Sequence, residues 1–184
     1  MVSFLARMDV CKNPMTFIKS IPFVIEYESN IHFFACGAGP LRKDVEAFIV
    51  KNDLEEYVTL HEPTKNMNRF YAVSDITCAL DSDSNLWQTI LAEAHIMRVP
   101  CIISDTGNTS KLYTHEKDCI LLPTSNPKEL ADAILTLYNN TQLQKSIADN
   151  AIELLNKHGR RDSVIIEKYF DLYEEVLRSS GKSS

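Results

Sequence analysis

The polar run Asp81-Ser-Asp-Ser-Asn85, with the helical pattern behind it, combines residue types that suit a phosphorylated ligand. Apolar residues recur at helical spacing after the run, at Leu86, Ile90, Leu91 and Ala94. A helix that begins after a polar loop presents unpaired backbone N–H groups and a positive dipole end, and both favour a phosphate. Glu93, about two turns along the same helix, can accept hydrogen bonds from sugar hydroxyls. The pattern therefore suits a ligand that carries a phosphate and a sugar.

Six short apolar segments must position this stretch. The predicted strands cover residues 2–6, 31–36, 57–60, 75–80, 100–103 and 119–122. Helical patterns begin at Pro14 and Leu86 and also cover residues 41–51, 66–73, 128–138, 142–157 and 163–178. Strands that are apolar on both faces and alternate with helices imply a parallel sheet covered on both sides, an α/β fold. Pro22 interrupts the first helical pattern, and we expect the helix to break there.

Polar and glycine-rich segments follow several of the predicted strands. They are Arg7, the turn from Gly37 to Gly39, the polar turn that starts at His61, the run from Asp81 to Asn85, and the loop from Asp105 to Asn108. In a parallel α/β sheet the ligand crevice lies at the carboxyl ends of the strands. The sequence therefore places its candidate site at that edge.

Length and composition narrow the class of protein. The chain has 184 residues, 45% of them hydrophobic, and a formal net charge of −6. This charge argues against a dedicated nucleic-acid binder. One domain is expected over residues 1–178, with a frayed tail at 179–184. The sequence shows no signal peptide and no apolar run long enough for a bilayer, so a cytoplasmic location is expected, with the cytosolic face of a membrane as an alternative.

The five cysteines form no C-x-x-C pair. They are Cys11, Cys36, Cys78, Cys101 and Cys119, and four of them lie in or beside predicted strands. Isolated cysteines in apolar surroundings are typical of buried, reduced thiols and not of a zinc site.

A series of motifs runs from Phe4 to about Leu177. The motifs are Ala6-Arg7 with Lys12, Gly37-Ala-Gly39-Pro40, Val58-Thr-Leu-His61, Ser74-Asp75-Ile76 with Ser82, the pair Asn85 and Glu93-Ala94, Pro100-Cys-Ile-Ile-Ser-Asp105-Thr-Gly107-Asn108, and Pro127-Lys-Glu-Leu130-Ala-Asp-Ala-Ile134. In order and spacing the series resembles the C-terminal half of GT-B-fold glycosyltransferases, in the retaining class called family 4 or group 1. The resemblance implies a Rossmann-like parallel sheet of about six strands with helices on both faces. It also implies an enzyme of carbohydrate biosynthesis that transfers a hexosyl group.

The resemblance implies a role for each candidate site residue. Arg7 and Lys12 would be catalytic, because they would bind the diphosphate of a UDP- or GDP-sugar donor and stabilise the departing nucleotide. Glu93 would accept hydrogen bonds from the ribose hydroxyls. The backbone N–H groups near Trp87, Gln88 and Thr89 would hold the phosphate or the sugar. The donor-binding set is completed by Gly37, Asn85 and Leu86. No metal and no other cofactor is expected.

The chain departs from the family pattern on the sugar side of the site. Asn85 stands where the family has the first glutamate of a pair, and an amide carries no negative charge near an oxocarbenium-like centre. Trp87 and Gln88 stand where Phe-Gly is usual, while His61 and Arg98 take other customary glycine positions. The nucleotide side of the site keeps its charged residues.

The resemblance further implies a partner domain. A complete enzyme of this kind has an N-terminal domain that supplies the acceptor site, in the same chain or as a separate subunit. Alone, the present domain should bind the donor weakly and transfer sugar poorly or not at all. The terminal helical pattern, 163–178, either crosses to such a domain or covers its own sheet. Membrane association would come through the full enzyme.

Rival interpretations remain open at this point. The main alternative is a non-catalytic nucleotide-binding or assembly module on the same fold, which Asn85 favours and which the charged residues Arg7, Lys12 and Glu93 disfavour. A sugar-epimerase half shares the fold but normally uses a different arrangement of carboxylate and histidine. A response-regulator interpretation fails because its acidic cluster is missing. The base, the sugar and the acceptor are not encoded in a recognisable motif.

Overall fold

The computed structural model describes residues 1–64, 67–82, 89–123 and 126–157. Within these ranges six strands form one sheet in the order β3-β2-β1-β4-β5-β6. The strands are β1 (Val2–Leu5), β2 (Phe33–Cys36), β3 (Val58–His61), β4 (Ile76–Ala79), β5 (Cys101–Ser104) and β6 (Ile120–Leu122). Each neighbouring pair is parallel. The sheet is therefore the parallel, Rossmann-like sheet that the sequence predicts.

The strand order reverses direction between β1 and β4. The chain proceeds from β1 outward to β2 and β3, and then returns to the other side of β1 for β4, β5 and β6. Ser3 lies beside Thr77 across the β1–β4 pair, and their hydroxyl oxygens are 2.8 Å apart. Such a reversal leaves a crevice at the carboxyl ends of the two central strands, because their following connections diverge to opposite sides.

Helices cover both faces of the sheet. They are α1 (Pro14–Ile25), α2 (Arg42–Lys51), α3 (Asn68–Tyr71), α4 (Thr89–Ile96), α5 (Pro127–Tyr138) and α6 (Thr141–Lys157). One hydrophobic cluster joins the sheet to α1 and α5 and includes Phe4, Phe17, Phe33, Ile102 and Ile134. A second cluster joins the opposite face to α3 and α4 and includes Leu5, Tyr71, Leu91, Ala94 and Ile103. Successive residues of one strand, such as Phe4 and Leu5, thus supply the two cores in turn.

The expected break at Pro22 is wrong, because α1 continues through this residue to Ile25. Proline removes one backbone hydrogen bond from a helix, at a cost of about 3 kcal/mol. The helix nevertheless buries Phe17, Ile18, Ile21 and Val24 almost completely. Each such side chain contributes roughly 1.5–3 kcal/mol when fully buried, so packing outweighs the local defect.

Smaller corrections concern residues at the ends of elements. His61 is the last residue of β3 and pairs with Cys36, so the strand runs one residue further than predicted. Residues 10–12, which belong to no predicted strand or helix, form a 3₁₀ turn, Val10–Lys12. Cys11 is exposed, whereas the other four cysteines are buried as predicted. The predicted helix at 163–178 and the tail at 179–184 lie outside the described residues, and so does part of the domain boundary drawn at 1–178. Among the described helices, none is both long enough and apolar enough to span a membrane.

Candidate functional site

The loop that follows β1 carries both predicted phosphate-binding side chains. Arg7 opens the loop, and Lys12 ends the 3₁₀ turn Val10–Lys12. Asp9 caps this turn, since its carboxylate accepts a hydrogen bond from the Lys12 backbone N–H at 3.2 Å. Asn13 then adopts the left-handed conformation (φ 51°, ψ 46°) and turns the chain into α1. The local sequence Asp9 to Asn13 thus fixes where Lys12 leaves the backbone.

This loop is tied to the chain that leaves β4. The Ser82 backbone N–H donates to the Cys11 carbonyl at 2.8 Å, and the Asn13 side-chain amide donates to the Leu80 carbonyl at 2.7 Å. The two hydrogen bonds flank Asp81 on either side. They join the carboxyl ends of the central strands at the point where the strand order reverses.

Lys12 and Asp81 form an ion pair across this junction, between the Lys12 Nζ and the Asp81 Oδ2 atoms. The Lys12 side chain is 28% exposed and the Asp81 side chain only 4%. The ammonium group is therefore the more accessible member of the pair, and the carboxylate is almost completely buried. A half-desolvated pair of this kind is screened less by water than a surface pair.

Arg7 has a different environment. Its side chain is 77% exposed, and its Nε atom lies 3.2 Å from the Asp9 Oδ2 atom. A pair so open to solvent contributes little to stability, because water screens the charges and the long side chain loses freedom when it is held. Arg7 is therefore able to exchange its carboxylate for a ligand at small cost.

The glycine turn after β2 packs directly against the Arg7 loop. The Met8 N–H donates to the Ala38 carbonyl and the Leu41 N–H donates to the Met8 carbonyl, each at 2.9 Å. A Cβ atom on Gly37 would lie 2.0 Å from the Ala6 carbonyl oxygen, far inside contact distance. Gly37 thus lets the backbone of the two loops touch, which a larger residue would prevent.

Arg42, at the start of α2, joins the ends of β2 and β3. Its Nη1 atom donates to the carbonyls of Gly37 at 3.0 Å and His61 at 3.1 Å. Its Nε atom also pairs with Glu46 at 2.7 Å. The guanidinium fork suits this bridging role, since it presents several donors in fixed directions. Arg42 therefore stabilises the edge of the sheet on the β3 side.

Glu93 lies half-buried on α4, beside Tyr71 of α3. The buried Tyr71 hydroxyl donates to the Ile90 carbonyl at 3.2 Å. Burial raises the pKa of Tyr71 well above its usual range, and the charge and hydrogen bonding of the neighbouring Glu93 carboxylate raise this pKa further. The Tyr71 hydroxyl thus keeps its proton, which it donates to the Ile90 carbonyl, and it lies close to the Glu93 carboxylate.

The predicted site residues divide into three groups. Arg7, Lys12 and Gly37 lie on two loops that contact each other, and Glu93 lies on α4 with Thr89 exposed at that helix's first described residue. Asn85, Leu86, Trp87 and Gln88 lie outside the described residues. The sequence did not single out Asp81 as the partner of Lys12, Tyr71 as the neighbour of Glu93, or the bridging Arg42.

The part of the chain that the structure describes contains no cluster of potential metal ligands. In the ranges given above, no group of three or more His, Cys, Asp or Glu side chains is placed to hold a metal ion. The cations in the described site are instead Arg7 and Lys12, which can neutralise a phosphate without a metal.

The doubly wound sheet, with Arg7 and Lys12 near the point where the strand order reverses, defines a Rossmann-like domain. Residues 1–140 match the family described as glycosyl transferases group 1, and the chain belongs to this family. The predicted family membership and fold are both confirmed.

Two of the curated relatives illustrate the similarity, one from a bacterium and one from an archaeon. The alpha-D-kanosaminyltransferase of Streptomyces kanamyceticus is 26% identical over 157 residues, which cover 83% of this chain and 40% of that protein. An uncharacterized glycosyltransferase of Methanocaldococcus jannaschii is 25% identical over 161 residues, or 86% of this chain and 45% of that protein. The chain spans less than half the length of the curated relatives it matches.

Solved structures share the fold at low sequence identity. Anabaena HepE, solved with UDP and glucose, superposes with a TM-score of 0.81 at 21% identity, over 97% of this chain and 48% of that chain. The pneumococcal O-GlcNAc transferase GtfA, solved with UDP and GlcNAc, gives a TM-score of 0.83 at 17% identity, over 96% and 35% of the two chains.

Proposed function

We propose that this chain is the donor-binding half of a retaining glycosyltransferase that uses a nucleotide diphosphate sugar. The observation that carries the proposal is the placement of Arg7 and Lys12 on the loop after β1, at the crevice where the strand order reverses. This crevice is where parallel α/β sheets bind ligands, and the side chains of Arg7 and Lys12 can donate charge-assisted hydrogen bonds to a diphosphate there.

Arg7 and Lys12 would act in catalysis through charge. When the bond between the sugar and the terminal phosphate breaks, the departing nucleotide gains negative charge. Cations already held beside that phosphate stabilise the transition state more than the bound donor, which accelerates the reaction. The hydrogen bonds from Ser82 to Cys11 and from Asn13 to Leu80 support this role, because they fix the turn that carries Lys12 before a ligand arrives.

The proposal also includes the remaining donor contacts. Glu93, which lies beside Tyr71, would accept hydrogen bonds from the ribose hydroxyls. Gly37 would admit the ligand near the backbone, and Asn85, Leu86, Trp87, Gln88 and Thr89 would line the sugar and phosphate side. No metal or further cofactor takes part in this proposal. UDP is our first candidate for the nucleotide, since HepE and GtfA were solved with it.

The acceptor would bind to a second, N-terminal GT-B domain, supplied in the same chain or as a separate subunit. The chain covers less than half of the length of its curated relatives, which supports a second domain for the acceptor. The isolated domain would then bind the donor without transferring sugar at an appreciable rate. In the cell we expect the complete enzyme in the cytoplasm, with the cytosolic face of a membrane as an alternative.

A calorimetric and thermal-shift titration with UDP, GDP, ADP and pyrophosphate tests the proposal. A ligand that binds only the folded state stabilises it by about 2.7 kcal/mol at a hundredfold excess over Kd. We expect one nucleoside diphosphate to raise the melting temperature more than the others, and the rise to vanish in Arg7→Ala. The absence of any shift at millimolar concentrations of all four would contradict donor binding by this domain.

The retaining mechanism has its own test. In the presence of the acceptor domain, NMR of the first product formed would show the anomeric configuration of the donor sugar. Inversion of that configuration would overturn this part of the proposal and leave donor binding untouched.

A second candidate is a non-catalytic module that binds nucleotide without transfer. Asn85 favours it, because the family pattern has a glutamate at this position. The two candidates differ when the acceptor domain and a labelled UDP-sugar are supplied. Release of UDP identifies the enzyme, and tight binding without release identifies the module.

A further inference from the structure

Asp81 is a nearly buried carboxylate directly beneath the proposed phosphate-binding lysine. Its side chain is 4% exposed, and its Oδ2 atom pairs with the Lys12 ammonium. The proposed phosphate-binding machinery has no use for a negative charge at this place, because carboxylate and phosphate repel each other. The presence of Asp81 therefore needs an explanation beyond donor binding.

Hydrogen bonds hold the backbone on both sides of Asp81 in place. The preceding carbonyl, that of Leu80, accepts from Asn13, and the following N–H, that of Ser82, donates to Cys11. These two hydrogen bonds fix the backbone on both sides of Asp81, and the burial of its side chain leaves the carboxylate little room to move away from Lys12. A diphosphate that contacts Lys12 would meet the ammonium group with a fixed negative charge behind it.

The Arg7–Asp9 pair does not impose the same restraint. The Arg7 side chain is 77% exposed and Asp9 is 20% exposed, so solvent screens this pair and Arg7 can leave it. Lys12 is the cation whose charge the protein compensates permanently. Each pair has zero net charge, but only the Lys12 pair is held by the fold.

Neutralisation of the Lys12 charge by Asp81 has its largest effect on the affinity for the most highly charged ligand. In a nucleotide diphosphate sugar both phosphates are esterified, whereas a free nucleoside diphosphate has a further ionisable oxygen with a pKa near 6. An uncompensated lysine would attract the free diphosphate more strongly than the sugar nucleotide. A transferase must release that diphosphate after each transfer, so tight retention would slow turnover.

We propose that Asp81 is a specificity-determining residue that lowers the affinity of the Lys12 site for free nucleoside diphosphate relative to the sugar nucleotide. The inference rests on the proposed donor-binding function and assigns to that site the ability to release its product. Asp81 acts on the ligand through Lys12 and through its own charge, and not by direct contact.

The Asp81→Asn variant tests the role of this charge. Asparagine keeps the size of the side chain and an acceptor oxygen for Lys12, so it removes the charge while the lysine stays in place. Asp75→Asn is the matched control, since Asp75 lies just before the other end of β4, is 69% exposed and pairs with the amino terminus. Binding of UDP and UDP-glucose to the full 184-residue chain is measured by calorimetry at roughly pH 8, where the extra phosphate oxygen is ionised.

We expect Asp81→Asn to tighten UDP binding about tenfold and UDP-glucose binding about threefold, with both affinities unchanged in Asp75→Asn. The salt dependence of UDP binding should become steeper in Asp81→Asn, because the site then carries an uncompensated cation. A purely structural role for Asp81 would not produce this change in slope.

Three results would count against the inference. Weaker or unchanged UDP binding would show that Asp81 does not restrain the site, and equal gains for both ligands would remove its role in specificity. If the wild-type chain binds neither UDP, GDP nor their sugar derivatives, the proposed function fails and the inference fails with it. Should Asp81→Asn not fold, as judged by circular dichroism, Asp81→Ser removes the same charge with a smaller polar side chain and has the same expected result.

Discussion

At the scale of single residues, the predicted ligand-binding groups already have partners inside the protein. Arg7 contacts Asp9, Lys12 contacts Asp81, and Glu93 lies beside the Tyr71 hydroxyl. Binding a donor would therefore exchange one set of polar contacts for another, so the net gain is smaller than the number of new contacts suggests. The burial of each existing partner decides how a substitution affects stability and binding.

The two cations should respond differently to truncation. Both Arg7→Ala and Lys12→Ala should abolish detectable diphosphate binding in calorimetry, because each removes a phosphate-binding charge. Lys12→Ala should also lower the free energy of unfolding by about 1–3 kcal/mol, since it takes the ammonium away from a buried carboxylate. Arg7→Ala should change it by no more than about 0.5 kcal/mol.

Urea denaturation monitored by circular dichroism measures both stabilities. Arg7→Ala serves as the control, because it removes a cation from the same loop without exposing or isolating a buried group. Unchanged nucleotide affinity in both variants would contradict the diphosphate site. Equal stability losses would contradict the difference in burial.

Glu93→Gln should weaken UDP binding about tenfold and leave pyrophosphate binding unchanged. Glutamine keeps the size of the side chain but replaces one acceptor oxygen by a donor, which a pair of ribose hydroxyls cannot use in the same way. Calorimetric titration of both ligands against wild type and variant provides the comparison. Equal losses for the two ligands would rule out a ribose contact.

At the scale of secondary-structure elements, the site depends on the close contact between the turn after β2 and the loop after β1. Gly37 stands at this contact, and the loop bearing Arg7 is hydrogen-bonded to the turn through Met8. The two elements are neighbours because β1 and β2 pair in parallel. A substitution that pushes the turn and the loop apart would therefore displace both Arg7 and Lys12.

Gly37→Ala should destabilise the protein by about 3 kcal/mol, because the added carbon atom would overlap backbone atoms that cannot move aside easily. Gly107→Ala is the matched control. Gly107 has φ +78° and nothing within 4 Å of the added carbon, so only the left-handed backbone opposes alanine and the loss should be about 1 kcal/mol. Thermal or urea unfolding measures the free energy of unfolding of both variants. A smaller loss of stability in Gly37→Ala than in Gly107→Ala would contradict the prediction.

The elements were largely predictable because their signals are local. Alternation of apolar strands with helical periodicity identified the six strands and the parallel sheet, and the motif order identified the family. The prediction at Pro22 was wrong because the effect of a proline is local. The packing of Phe17 and Ile21 against the sheet outweighs this effect, and it depends on residues far along the chain. The Lys12–Asp81 pair escaped prediction for the same reason, since 69 residues separate its members.

At the scale of the whole molecule, stability should depend on pH through His95. The His95 ring is fully buried between α4 and the segment that carries Tyr113, with its Nε2 atom 3.2 Å from the Tyr113 hydroxyl. Burial lowers the pKa of His95 from 6.5 to about 4, because the charged ring would lose its hydration. The folded protein therefore binds a proton at this site less readily than the unfolded chain.

The contribution of neutral His95 is fully present above about pH 6.5 and is lost as the pH falls towards about 4. We expect the free energy of unfolding to decrease by up to about 3 kcal/mol across this window. His95→Gln should flatten this part of the profile, even if the variant is less stable overall. Urea titrations at a series of pH values provide the measurement, and the same slope in His95→Gln and wild type would contradict the assignment.

The distribution of the thiols has a practical consequence for the study of this protein. Cys36, Cys78, Cys101 and Cys119 are buried, and burial raises the pKa of each of these thiols, so they are both covered and protonated near neutral pH. Cys11 is exposed and directly precedes Lys12. A maleimide dye should therefore attach at this one position without mutagenesis. The native chain thus carries a natural labelling point beside its proposed phosphate site, where a change in fluorescence would report the arrival of a nucleotide.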